Sequence, residues 1–213
     1  CVLTSIGLDH VKELGPGIKD IARTKSMIIK PGCKVVAENS NPEAFEVIEA
    51  RCKELGVEIS TPKYGRLNLI KADFSGSEFI YTSIGRMNTS LVGKHQLKNI
   101  AMTIEIIEAL RDKGFLISPE HIREGVKKTK WIGRFMPIHT KPTVIVDGAH
   151  NSHGMRAVME SLSDFAKDKK CRFIFGVMAD KDVADIVDAF LPYAKKVYTV
   201  KPSNPRAMDE KEL

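Results

Sequence analysis

Asp147, His150 and Asn151 are the residues of this 213-residue sequence whose types and spacing most directly offer chemistry. They follow Thr143–Val146, a β-branched run without polar alternation, which suits a strand buried on both faces of a parallel sheet. Asp147-Gly148 would end that strand, and Asn151 or Ser152 would cap a helix running through Met155, Val158, Met159 and Leu162. The trio would then lie beyond the carboxyl end of a strand, beside a helix N-terminus. Open α/β sheets bind ligands in that crevice, because loop N–H groups and the helix dipole favour anions there. An Asp and a His so placed can accept from ribose hydroxyls or approach a phosphate. The same letters also read as an Asp-Gly turn with a bystanding histidine, and spacing alone leaves the two readings level.

Asp9 and His10 follow the apolar Val2-Leu3-Thr4-Ser5-Ile6 and would fall at another carboxyl edge, with Lys25 on the helix after it. Taken alone, His10 is a turn partner of Asp9, and Lys25 is a helix-surface lysine. Asn99, three residues after Gln96, would sit one turn further along the same helix face. Its amide offers a donor and an acceptor, as an adenine edge requires, although Asn near a helix start also caps. Arg134 follows Gly133, which lets backbone come close, and a guanidinium fork grips phosphate bidentately. The plain alternative for Arg134 is a surface linker arginine.

The elements that must carry these residues alternate. A helix over residues 18–30 is stopped by Pro31-Gly32, residues 34–37 form a strand, and Pro42–Leu55 is an amphipathic helix closed by Gly56. That order implies a parallel sheet with covering helices. Between residues 57 and 92, Leu67-x-Leu69, Phe79-x-Tyr81 and residues 87–91 read as short antiparallel strands between Gly and Ser turns, a small sheet at the side of the first domain. Residues 96–110 carry the longest helical pattern, with Ile100, Ile104, Ile107 and Leu110 inward, and another helix follows the Ser118 cap over 119–126. Residues 129–136 read as a hinge into a second α/β unit with strands at 173–175 and 196–200 and a helix over Val183–Phe190.

Composition bounds the answer further. A hydrophobic share of 43% and a charged share of 28% fit a globular chain, and no apolar run approaches the ~20 residues a membrane span needs. The four cysteines, Cys1, Cys33, Cys52 and Cys171, form no Cys-x-x-Cys pair, which argues against a zinc site or disulfide framework and fits a reducing, cytoplasmic setting. A net charge of +6 suits anionic ligands such as nucleotides or polyglutamates. Nucleic acid is disfavoured, because no basic run is interleaved with aromatics; Lys127-Lys128-Thr129-Lys130 reads as a solvated helix end.

Taken in order, several stretches resemble the folylpolyglutamate synthase/dihydrofolate synthase branch of the Mur ligase superfamily across essentially the whole chain. They are Thr4-Ser5-Ile6-Gly7-Leu8-Asp9-His10, then Leu91-Val92-Gly93-Lys94-His95-Gln96-Leu97-Lys98-Asn99, Trp131-x-Gly133-Arg134 and Asp147-Gly148-Ala149-His150-Asn151, followed by Asp180-Lys181-Asp182 and Asn204-Pro205-Arg206-Ala207. The resemblance implies the remainder of a P-loop ATPase domain over residues 1–131 and an incomplete Rossmann-like C-terminal α/β domain over 132–213. It implies an ATP-dependent ligase that adds L-glutamate in γ-linkage to tetrahydrofolate through an acyl phosphate, with dihydrofolate synthase activity as a further option. By the same resemblance His10 and a carbamylated Lys25 would bind Mg²⁺. Asn99, Arg134, Asp147 and His150 would bind ATP, and Lys25 and His150 would serve catalysis.

The implied partners are folate, L-glutamate and ATP, with no nucleic acid or membrane, in a monomer. The family's Gly-rich P-loop is absent from the sequence, which is therefore expected to be an internal fragment, inactive alone. A muropeptide- or cyanophycin-type ligase, or a non-catalytic nucleotide-binding remnant, are the rival readings. Departures from the family pattern stand at Thr24 and Ser26-Met27 around Lys25, at Phe135-Met136, and at Ser152-His153, where a proline is usual.

Overall fold

The computed structural model describes residues 1–8, 14–166 and 169–213. The chain divides into two units, the first of residues 1–71, 78–89 and 96–129, the second of residues 72–77, 90–95 and 130–213.

In the first unit β1 (Val2–Leu3) leads to α1 (Ile18–Ser26), β2 (Val35–Ala37), α2 (Pro42–Leu55) and β3 (Ile59–Ser60). The three strands pair in parallel in the order β1-β2-β3, as a strand–helix alternation requires. Val35, Val36 and Ala37 are all buried, and Ile21, Ile29 and Ile48 pack with Val35 and Ala37 into one core. Each such fully buried aliphatic side chain stabilises by roughly 1.5–3 kcal/mol. α1 is shorter than the expected 18–30. The N–H groups of Met27, Ile28 and Ile29 bond the carbonyls three residues back, tightening the chain into turns that still bury Ile29. α2 matches its expected bounds. The Asn41 side chain accepts from Ala44 N–H at 3.2 Å, Pro42 occupies the first turn, and Gly56 closes the helix at φ 61°.

Next come β4 (Leu67–Asp73), β5 (Gly76–Tyr81), β6 (Gly85–Thr89), α3 (Lys94–Arg111) and α4 (Pro119–Lys128), which lie in the first unit except for the end of β4, the start of β5 and the first two residues of α3. The strands form a sheet in the order β4-β5-β6, and connections this short can only join antiparallel neighbours. Phe79, Tyr81 and Met87 pack with Leu97, Ile100, Ile104, Ile122 and Val126 of the two helices. Ser118 caps α4 by accepting from His121 N–H at 3.2 Å.

The second unit holds β7 (Met136–Thr140), β8 (Thr143–Val146), α5 (Ser152–Ala166), β9 (Cys171–Phe175), α6 (Val183–Phe190) and β10 (Ala194–Thr199). β9 and β10 pair in parallel, and Phe190 of α6 packs on Phe173 and Phe175 with ring centroids 4.8 and 5.1 Å apart. The expected burial of Thr143–Val146 within a parallel sheet is not what the fold does. β8 is an outer strand, largely exposed, paired antiparallel with β7 through the tight turn at Lys141-Pro142. A local hairpin partner, with Pro137 on it, wins over a crossover partner because it closes a far shorter loop. The architecture is thus α/β, built among the described residues from sheets of two or three strands. No helix of the described chain is long and apolar enough to cross a membrane.

Candidate functional site

The turn that precedes β7 is laced to the loop that follows β8. Phe135 N–H donates to Asp147 Oδ2 at 2.6 Å and Ala149 N–H donates to Asp147 Oδ1 at 2.7 Å. Gly148 N–H donates to the Gly133 carbonyl at 2.9 Å. Asp147 therefore uses one lone pair on each oxygen to hold backbone, and a carboxylate with about four acceptor positions keeps the rest for a ligand. Gly133 takes φ 75° and Phe135 φ 41°, both left-handed. For Phe135 that conformation costs on the order of 1 kcal/mol or more. A ring only 1% exposed, its centroid 6.0 Å from that of Phe165, outweighs the cost. With its neighbours so fixed, Arg134 is presented to solvent and has no hydrogen bond or ion pair among the described residues. An exposed guanidinium on a pinned turn is equipped to receive an anion.

On the far side of the loop His150 is exposed, its Nδ1 2.9 Å from the Gly148 carbonyl. A carbonyl only accepts, so Nδ1 carries the proton and Nε2 is the open acceptor. Asn151 Oδ1 then accepts from Gly154 N–H at 2.7 Å and starts α5. The strand end, loop and helix start expected from the sequence are all present, with the strand in a hairpin.

One further residue of the second unit lies outside the candidate set that the motifs imply. His95 is half-buried, and its Nδ1 lies 3.1 Å from Ser161 Oγ on α5. Burial pushes its imidazole below the usual histidine range, while the charges of Asp147 and Glu160 raise it and that of Arg134 lowers it further. Those three charged groups thus lie close enough to act on the ring. The signal available in the sequence was Gly93-Lys94-His95, but its partner is 66 residues away.

The structure gathers Arg134, Asp147 and His150 in the second unit, while Asn99 and Lys25 belong to the first. Asn99 is exposed on α3, its Nδ2 donating to Gln96 Oε1 at 3.2 Å. Lys25 is exposed on the last turn of α1. His10 lies outside the described residues. Among those described, no group of three or more His, Cys, Asp or Glu is gathered as metal ligands would be. Asp182 caps α6 by accepting from Asp185 N–H at 3.3 Å, and Asp180 makes an exposed ion pair with Arg206 at 3.6 Å.

Residues 133–213, the stretch that carries Arg134, Asp147 and His150, match the family described as Mur ligase, glutamate ligase domain. Over its whole length the chain is a relative of folylpolyglutamate and dihydrofolate synthases. It is 32% identical to the folylpolyglutamate synthase of Lacticaseibacillus casei, aligned over 98% of this chain and 50% of that protein. It is 29% identical to the dihydrofolate synthase/folylpolyglutamate synthase of Bacillus subtilis, over 100% of this chain and 51% of that one. Among solved structures, an FPGS–AMPPCP–folate complex superposes with a TM-score of 0.83 at 30% identity, covering 95% of this chain and 51% of that one. The Mycobacterium tuberculosis folylpolyglutamate synthase complexed with ADP gives 0.84 at 25% identity, covering 98% and 48%. The chain spans about half the length of these relatives. The matched stretch accordingly contains the pinned turn, the Asp147 loop and α5, whereas Gly93 and His95 precede it.

Proposed function

We propose that this chain forms part of an ATP-dependent ligase that adds L-glutamate in γ-linkage to tetrahydrofolate. The folate γ-carboxylate attacks the ATP γ-phosphorus and ADP leaves, giving an acyl phosphate. The glutamate amine then displaces inorganic phosphate, losing its proton as the amide forms. The observation that carries this reading is the exposed Arg134, unpaired among the described residues, on the turn that Asp147 pins, in a chain similar to a solved FPGS–AMPPCP–folate complex. In this reading Arg134 binds ATP phosphate bidentately and lessens charge repulsion as the phosphoryl group moves. Asp147 and His150 Nε2 remain as acceptors for nucleotide hydroxyls, and His150 can take a proton. Asn99 contributes an amide edge to adenine from the residues of the first unit. Mg²⁺, bound through His10 and a carbamylated Lys25, belongs to the same reading, as does a first domain built as the remainder of a P-loop ATPase.

The test uses the complete gene product, tetrahydrofolate, radiolabelled glutamate and ATP, with dihydropteroate as a second acceptor. Glutamate should enter folate only when ATP is present. Arg134→Ala should lower kcat/KM for ATP by about 10²-fold or more, the scale of a lost charge-stabilising contact. Turnover on a muropeptide or dipeptide acceptor in place of folate would reassign the substrate, and an Arg134→Ala variant with unchanged kinetics would remove Arg134 from the site.

A further inference from the structure

We propose that His95 is a positioning residue of the nucleotide site, acting through Nδ1 to fasten residues 90–95 onto the helix that the Asp147 loop begins. The inference rests on the functional reading above and adds a residue to it. Three contacts carry it. Ser161 is 1% exposed, and its hydroxyl donates to the Ala157 carbonyl at 2.9 Å. Its oxygen is therefore left to accept, and His95 Nδ1–H is the donor at 3.1 Å. Gly93, at φ 105°, comes so close that a Cβ there would sit 2.6 Å from Ser161 Oγ and 2.8 Å from His95 Cε1. The backbone, the imidazole and the hydroxyl thus occupy one another's only room. One helical turn on from Ser161, Asp164 receives Lys94 Nζ at 2.8 Å, so the segment grips the same face of α5 twice.

Val92, 2% exposed, closes the segment into the core that also holds Phe135, Met155 and Met159. α5 starts at Ser152, directly after His150 and Asn151, so whatever fixes its roll fixes the direction in which that loop presents Asp147 and His150. In the Nδ1–H tautomer, Nε2 of His95 has no hydrogen-bond partner among the described residues, so the fastening atom and the open atom of the ring are separable by substitution.

The experiment exploits the geometry of the two amides. The Asn side chain can place its N–H where Nδ1–H of histidine lies, whereas Gln places its amide nearer Nε2. ATP binding by calorimetry, ATP KM and kcat are measured in the complete protein for wild type, His95→Ala, His95→Asn, His95→Gln and Ser161→Ala. His95→Ala and Ser161→Ala should weaken ATP binding by about fivefold, the worth of one hydrogen bond, and raise KM for ATP more than they lower kcat. His95→Asn should restore most of the affinity and His95→Gln should not. Two-bond ¹H–¹⁵N spectra of histidine-labelled protein should show the Nδ1–H tautomer at His95, lost in Ser161→Ala.

Lowered melting temperature with unchanged ATP affinity in all four variants would reduce the contact to a structural one and overturn the proposal. Rescue by Gln in place of Asn, or an Nε2–H tautomer, would also overturn it. A wild type that binds no ATP fails the functional reading itself, and the positioning role falls with it, whatever the tautomer.

Discussion

At the residue scale Asp147 has two occupations. Its side chain was expected to meet ATP, and it also holds the N–H groups of Phe135 and Ala149 at 2.6 and 2.7 Å. The contact to Ala149 is an Asx turn, two residues on, which Asp-Gly-Ala announces in the sequence. The contact to Phe135 is twelve residues back and depends on a left-handed φ at a non-glycine residue, which no local pattern signals. Asp147→Asn replaces one acceptor oxygen by an NH₂ that faces an N–H donor. It should destabilise the protein by about 2 kcal/mol in urea unfolding, and a loss under about 0.5 kcal/mol would mean that the turn is held by Phe135 packing alone. Lys25 lends itself to a direct check. If its amine takes up CO₂, ¹³C-bicarbonate should give a carbamate carbonyl signal that disappears in Lys25→Arg, and an identical spectrum for both proteins would refute the assignment.

At the scale of elements, the helices with a stop signal at each end were legible. Pro42–Leu55 has Asn41, Pro42 and Gly56, and its bounds follow. Residues 27–30 carry no such stop, and the apolar period of α1 ran on past its last turn because Ile29 is buried by the turns that follow. Thr143–Val146 was legible as a strand but not in its partner, since β-branched residues suit an exposed hairpin strand as well as a buried parallel one. Close approaches between elements are less legible still. Gly176 follows β9, and a Cβ there would lie 2.6 Å from the Val200 carbonyl, just past β10. Gly176→Ala should therefore cost about 1–3 kcal/mol, because backbone, unlike a flexible side-chain tip, cannot step aside. An alanine variant as stable as wild type to heat and urea would mean that the two strand ends can part freely.

At the scale of the whole molecule, buried titratable groups set a pH window. His95 is held neutral by burial despite Asp147 and Glu160, so the unfolded chain binds its proton more readily than the folded one. That contribution is complete above the ordinary histidine value of 6.5 and is lost as pH falls below it. Burial pushes the Cys52, Cys171, Tyr64 and Tyr81 groups up, and Tyr64 also donates to Glu38 at 2.9 Å. Their contribution is complete below the ordinary cysteine and tyrosine values of 9.0 and 10.0 and is lost above them. Melting temperature should thus plateau between about pH 6.5 and 9. His95→Gln should flatten the acid limb and Tyr64→Phe the alkaline one; limbs unchanged by both would assign the profile to surface charge.

The division of the chain bears on how such a protein could be taken apart. The stretch that matches the glutamate ligase family opens at residue 133, but the second unit also owns residues 72–77 and 90–95, which bring Phe74 and Val92 to its core. A gene cut or a recombination event at the family boundary would deliver a module short of two of its own apolar plugs. Such a module would show sticky surface where they had been, so the inheritable cassette and the foldable body are different objects.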